Sequence, residues 1–241
     1  MTFLTAEWRN LAMANYAIDP KLLQDFVPYN TELDFFEGRC YVSLIGFMFL
    51  KTKLLGVPIP FHQNFEEVNL RFYVRYKSSE GWRRGAVFIK EIVPRFMISL
   101  VANTVYREPY VTMQMSHSVK NMEVRHPDTI GTEGGKLYDY TWGNNRMSVE
   151  VENKSLSIAE GSEEEFITEH YYGYTRWNET KTKEYEVKHP RWLINPVIKY
   201  DIACDFGGLY GERFAFLKNE KPHSVLLAEG SPISVMMNVK A

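Results

Sequence analysis

The chain has 241 residues, with 28 lysines and arginines against 30 aspartates and glutamates, for a formal net charge of −2. A balance this even gives no global field for nucleic acid or an anionic membrane, so neither is expected as a partner. Its two cysteines, Cys40 and Cys204, form no CxxC pair, which argues against a disulfide framework or a thiolate zinc site and fits buried thiols in a reducing cytoplasm.

The opening MTFLTAEWRN lacks the basic and apolar regions of a signal peptide, so a cytoplasmic protein is expected. The helical signal IDPKLLQDFVP follows a strand at Leu11–Ala17, with Asp19 as N-cap and Pro20 at the first helical position. Arg39–Phe49 covers most of the longest apolar run, CYVSLIGFMFL, which is too short to cross a bilayer as a helix and reads as a buried strand. Strands are then expected at Val68–Tyr76 and Arg84–Ile92, followed by a helix in VPRFMISLVANTVY, where Met97, Leu100, Val101 and Val105 form one stripe. Val111–Ser118, Gly134–Trp142 and Met147–Glu152 read as strands, and SEEEFITEHY as a helix opened by a capping box of Ser162 and Glu165. The remaining strands are Tyr171–Trp177, Thr182–Val187, Phe214–Leu217 and Ser224–Val239. Turn-rich stretches at His126–Gly135 and Ala203–Glu212 sit between segments of similar aromatic content, so 1–241 reads as a single domain. Aromatic residues make up 15% of the chain and are spread along it, which suits a mainly β (α+β) fold, either a barrel or two packed sheets.

No GxGxxG, GxxxxGK[ST], HExxH or GxSxG motif occurs, and the six histidines lack metal-ligand spacing. No cofactor and no metal are therefore expected. The basic and aromatic stretches YVRYK and HYYGYTRW read as strand surface rather than as nucleic-acid platforms, given the charge balance. In FIKEIVP, Lys90 and Glu91 point to opposite faces of a strand, so at most one of them enters an interior. A buried Lys90 would be a Schiff-base candidate, although a lysine is more often on the outer face. Period two sends His170, Tyr172 and Tyr174 to a common face.

In NFEEVNLRFYV, Val68, Leu70, Phe72 and Val74 share one face, and Glu67, Asn69, Arg71 and Tyr73 the other. The polar row fits a solvated sheet face, and equally the inner wall of a small barrel around a polar site.

The segment RNLAMANYAIDPKLLQDFVPYNTELDFFEGRCYVSLIGF resembles the opening of the YqjF-like family of uncharacterised bacterial proteins, and the resemblance continues through FEEVNLRFYV, REPYVTM, EHYYGYT and AEGSPISV. That family belongs to the acetoacetate-decarboxylase-like superfamily, which implies a cone-shaped β-barrel or double sheet with a few short peripheral helices and a central cavity. In the decarboxylase a cavity lysine forms a Schiff base with a keto acid, assisted by an arginine and a glutamate. The resemblance carries the arginine onto Arg9 and the glutamate onto Glu66 or Glu67. Where the lysine pair would stand, this chain has Tyr110 and Val111, and neither can form an imine.

The resemblance turns the polar row inward. Glu67, Asn69 and Arg71 are expected to be mutually paired inside, with Val68, Leu70 and Phe72 packed outward beneath helices. A slip of one residue would make Glu66 the cavity carboxylate. The reading is a barrel that binds a small carboxylate or keto-type molecule without Schiff-base catalysis, the ligand being anionic because an arginine fork suits a carboxylate. The expected ligand-binding residues are Arg9, Glu67, Asn69, Arg71, Tyr110, Tyr172 and Tyr174. If the protein is an enzyme, it is a lyase or acid–base catalyst acting on keto acids, with Glu66, Glu67, Lys90, Tyr110 and His170 as catalytic candidates. A homo-oligomer is compatible with this reading.

Overall fold

The computed structural model describes residues 2–125 and 132–237. In chain order the strands are β1 (Thr2–Ile18), β2 (Thr31–Leu33), β3 (Cys40–Leu54), β4 (Val57–Pro58), β5 (Phe65–Ser78), β6 (Gly81–Val93), β7 (Tyr110–Thr112) and β8 (Met115–Arg125). They continue with β9 (Thr132–Trp142), β10 (Asn145–Glu152), β11 (Leu156–Ser157), β12 (Tyr172–Asn178), β13 (Lys181–Lys188), β14 (Leu193–Asn195), β15 (Val197–Ala203) and β16 (Ser224–Met237). The α-helices are short: α1 (Phe96–Val101), α2 (Glu163–Thr168) and α3 (Phe206–Tyr210).

Seven strands close a ring in the order β1-β3-β5-β6-β12-β13-β16, with β16 pairing back onto β1. The weakest seam is β6 to β12, a parallel contact of only Tyr172 with Gly85 and Gly173 with Ala86. A second sheet, β15-β10-β9-β8, packs against the outside. The architecture is thus mainly β, a sheet ring backed by a second sheet, with a few short helices.

Alternation along the ring strands sorts side chains into two cores. Val42 and Leu44 of β3 and Val68, Leu70 and Phe72 of β5 face outward, sharing a core with Tyr140, Trp142 and Met147 of the second sheet and with Phe206 and Phe214. The outward row therefore lies chiefly beneath a sheet, where helices were expected. Gly46 makes this close approach feasible, because a Cβ there would lie 3.0 Å from the Met147 side chain. Tyr41, Ile45 and Phe47 of β3 and Tyr73 of β5 face inward, where α2 inserts Phe166 and Ile167. Cys40 and Cys204 are buried free thiols, and burial pushes them up to about 11 and about 12.

The structure departs from the expected elements where periodicity misleads. Phe214–Leu217 is part of a 3₁₀ segment, Glu212–Asn219, rather than a strand, since Phe214 and Leu217 both bury at a spacing of three. Val111–Ser118 breaks after Thr112, its halves joining different sheets as β7 and β8. Pro20–Phe26 is likewise 3₁₀, with the Asp19 side chain accepting from the Lys21 amide. The stretch Ala203–Glu212 holds α3, and residues 126–131 of the other turn-rich stretch lie outside the described residues. Of the strand expected at Ser224–Val239, residues 238–239 also lie outside them.

Candidate functional site

The inner face of β5 carries Glu67, Asn69, Arg71 and Tyr73 in a row along the ring interior. Glu67 is only 2% exposed, and the Asn69 amide donates to its Oε1 at 2.9 Å. Glu66 lies on the opposite face, 2.6 Å from His117 Nδ1 of β8. Strand parity thus makes Glu67 the interior carboxylate.

Register then brings in partners from the neighbouring strands. Asn69 sits opposite Glu91 of β6, and Glu91 opposite Tyr110 of β7. The Tyr110 hydroxyl donates to Glu67 Oε2 at 3.2 Å. Tyr110 is held from outside the ring: a π-helical turn, Ala102–Tyr106, follows α1, and Asn103 from that turn exchanges two 2.9 Å hydrogen bonds with the Tyr110 backbone. Arg107 ends the turn in the left-handed conformation (φ 56°), uncommon for a residue with a Cβ, and stacks on Trp177. The reversal buries Glu108, which accepts from the Thr175 hydroxyl of β12. From β13, Tyr185 reaches the same interior across Gly173, where a Cβ would collide with its ring.

Glu67, Glu91 and Glu108 are thus buried in the interior together with the Arg71 guanidinium. Burial pushes Glu67 up to about 7, against the hydrogen bonds from Asn69 and Tyr110, and pushes Glu108 up to about 7. Burial first, and then the charges of Glu67 and Glu108, hold Glu91 well above the usual carboxylate range. Burial, reinforced by these carboxylates, also raises the Tyr110 and Tyr185 hydroxyls. The site consequently offers carboxylic acid O–H donors near neutral pH.

Several of its polar atoms have no hydrogen-bond partner: Glu91 Oε2, Asn69 Oδ1 and Arg71 Nε. Arg71 is not paired with Glu67 or Asn69 by a hydrogen bond, contrary to expectation; its Nη2 donates to the Ile167 carbonyl in the last turn of α2, at 3.2 Å. Buried polar atoms normally find partners; these three are turned into the ring interior. Phe88, which faces Arg71 across the strands, is only half-buried, as are Tyr110 and Tyr185.

His170, further along the interior, stacks on Tyr73 with ring centroids 4.4 Å apart. It lies 3.7 Å from Asp34, which Arg84 holds at 2.6 Å. Both ring nitrogens lack a hydrogen bond, and burial pulls its pKa down to about 4.

Other expected residues lie elsewhere. Arg9 turns to the outside, where its guanidinium meets Glu7 at 2.9 Å and the Gly230 carbonyl at 3.2 Å. A register shift after Arg9 in the β1–β3 pairing, with Asn10 at φ 59°, resets which β1 side chains face in. Lys90 is on the outer face of β6 and donates to the Leu209 carbonyl of α3, so of the Lys90–Glu91 pair it is the glutamate that enters. Tyr174 belongs to the outer core with Tyr172 packed against it, so neither shares the interior of His170. Sequence reasoning missed Glu91, Glu108 and Tyr185. The parity of FIKEIVP was the available signal for Glu91, since it allowed either residue inside.

The profile of the DUF2071 family, described as an uncharacterised conserved protein, matches residues 5–232. The uncharacterised protein YqjF of Bacillus subtilis is 24% identical over 188 residues, spanning 78% of this chain and 73% of that protein. Among solved structures, acetoacetate decarboxylase from Legionella pneumophila superposes with a TM-score of 0.59 at 13% identity, covering 98% of this chain and 85% of the other. The enduracididine biosynthesis enzyme MppR in complex with pyruvate gives 0.58 at 12% identity, covering 99% and 90%. These likenesses establish an acetoacetate-decarboxylase-like fold.

Proposed function

The chain belongs to the DUF2071 family, and within that frame we propose that it binds a small carboxylate or keto-type molecule at the Arg71–Glu91–Glu67–Tyr110 face inside the ring. The observation that carries the reading is the set of orphaned atoms, Arg71 Nε, Asn69 Oδ1 and Glu91 Oε2, turned into one buried polar interior. A ligand carboxylate would accept from Arg71 and from protonated Glu91, a charge-assisted pairing that offsets burial. A carbonyl oxygen on the same ligand would lie within reach of Tyr110, with Glu67 positioned to take up or return a proton near neutral pH. Support also comes from MppR, a protein of this fold described in complex with pyruvate.

Tyr110 has no amine to offer, and Lys90 faces away, so binding here proceeds without an imine. One other lysine merits the test. Lys183 lies two residues before Tyr185 on the same face of β13, and burial and Arg107 pull its ammonium below the usual range against the charge of Glu108.

A thermal-shift screen of pyruvate, acetoacetate and the corresponding alcohols should show stabilisation by the keto acids, because a ligand of the folded state raises apparent stability. Borohydride reduction with pyruvate present should leave the protein mass unchanged. An adduct mapped to Lys183 would replace this reading with imine chemistry, and no shift by any carboxylate would remove it.

A further inference from the structure

We propose that the turn at residues 102–108 is a flap in the ring wall, which swings off β12 to admit the ligand to the interior. Its use as an entry rests on the binding reading above, whereas its opening does not.

The wall is incomplete where this turn sits. β6 and β12 run parallel and pair only at Gly85 with Tyr172 and at Ala86 with Gly173; beyond these, among the described residues, no ladder joins them. The rest of β12 pairs with β13 along its other edge. At the far end of β6, β7 takes the place of β12, with Tyr110, Val111 and Thr112 opposite Glu91, Ile92 and Val93. The turn that leads into β7 closes the gap left between the two ring strands.

Its two sides are attached differently. On the β6 side the base is fixed by backbone: the Glu91 amide donates to the Pro109 carbonyl and the Met113 amide to the Val93 carbonyl, both at 3.1 Å. Ser99 Oγ of α1, 2.6 Å from Thr112 Oγ1, ties the helix to the same base. On the β12 side only side chains reach across. Arg107 Nη1 donates to the Trp177 carbonyl at 2.9 Å, its guanidinium lies 4.0 Å from the centroid of the Trp177 ring, and the Thr175 hydroxyl donates to Glu108. A ladder on one side and side-chain contacts on the other make a hinge and a latch.

The turn itself is built to open. Asn103, Thr104 and Arg107 are exposed, and a segment with few buried contacts opens far more cheaply than the whole fold. Its π-helical geometry is rare and concentrates at functional sites. Arg107 holds the latch in the left-handed conformation (φ 56°), a strain that opening relieves.

The flap closes directly over the polar interior. Glu108 rides on it, near enough that its charge raises both Glu67 and Glu91. Tyr110 sits at the hinge, its backbone held by Asn103 of the flap, so closure sets its hydroxyl on Glu67. Lys183, opposite Thr175 in register, has its Nζ 3.5 Å from the centroid of the Trp177 ring. With Arg107 it puts two positive charges beside the gap, which suits an anionic guest.

Residue-resolved amide exchange on the ligand-free chain tests the opening. The Glu108 and Tyr110 amides, bonded to the Ala102 carbonyl and to Asn103 Oδ1, should exchange at least about a hundredfold faster than those of Leu70 and Phe72 in β5. Arg107→Ala and Thr175→Val should each speed the first pair a further fivefold or so, leaving the second pair and the circular dichroism unchanged. Saturating pyruvate should slow the first pair. Protection equal to that of β5, or indifference to both substitutions, would overturn the flap. Pyruvate that binds by calorimetry without slowing either amide would overturn its use as an entry. Pyruvate that does not bind at all would remove the binding reading instead, and the ligand-free exchange would then decide the flap on its own.

Discussion

Glu67 of β5 and Tyr110 of β7, a strand that pairs onto β6 outside the ring order, meet through a 3.2 Å hydrogen bond in the ring interior, with Glu91 of β6 between their strands. Few side chains reveal the chemistry of a site as directly as a carboxylate that burial has driven toward neutrality. Folding holds Glu67 at about 7, above its ordinary value of 4.5. The folded state therefore binds a proton that the unfolded chain has released, and stability falls as pH rises from about 4.5 to about 7. Urea unfolding at pH 5 and pH 8 should show this loss in the unmodified protein. Glu67→Gln should reduce it by on the order of 2–3 kcal/mol, and an equal loss in both proteins would refute the assignment.

His170 imposes the opposite slope. Its pKa is pulled down to about 4, so below the ordinary 6.5 the unfolded chain takes up a proton that the folded chain refuses, and stability falls on acidification through that window. Its imidazole resonances should stay in the neutral form from pH 8 down to about 5. A midpoint above 6 would mean that Asp34 or water solvates this ring more than its burial allows.

Gly173 tests how Tyr185 is placed. A Cβ at this position would fall well inside the Tyr185 ring, so Gly173→Ala must displace either the ring or the strand. The substitution should cost about 1–3 kcal/mol, as overpacking does, and should weaken keto-acid binding as well. A variant as stable as its parent, with unchanged binding, would place Tyr185 outside the site.

Much of this was legible in the sequence, and the exceptions share a cause. The alternation in NFEEVNLRFYV carries its own answer once both faces of β5 are buried: a polar row inside one ring and an apolar row under a second sheet. What alternation cannot show is a register shift, such as the one after Arg9, or which of two adjacent residues, Lys90 or Glu91, turns inward. Glu108 was invisible for a different reason. It is buried by a π-helical turn and a left-handed Arg107, local geometry without a periodic signature. The second sheet's strands were expected in part, but nothing in their pattern showed that they would lie on the ring.

Arg71 and Arg9 separate the interior from the surface. Arg71→Ala should weaken pyruvate binding by at least about tenfold, because truncating one partner of a buried charged hydrogen bond costs about 2–5 kcal/mol. Arg9→Ala, which removes a guanidinium already paired with Glu7 outside the ring, should leave affinity within about threefold, as exposed ion pairs contribute about 0–1 kcal/mol. Isothermal titration calorimetry distinguishes the two, and equal losses would put the ligand elsewhere.

The most direct measurement is a crystal structure with pyruvate soaked in. The account predicts density for the ligand inside the ring, its carboxylate on Arg71 and Glu91, its keto oxygen toward Tyr110, and no continuous density to any lysine nitrogen. A covalent link to a lysine, or a ligand bound only on the outer surface, would contradict it.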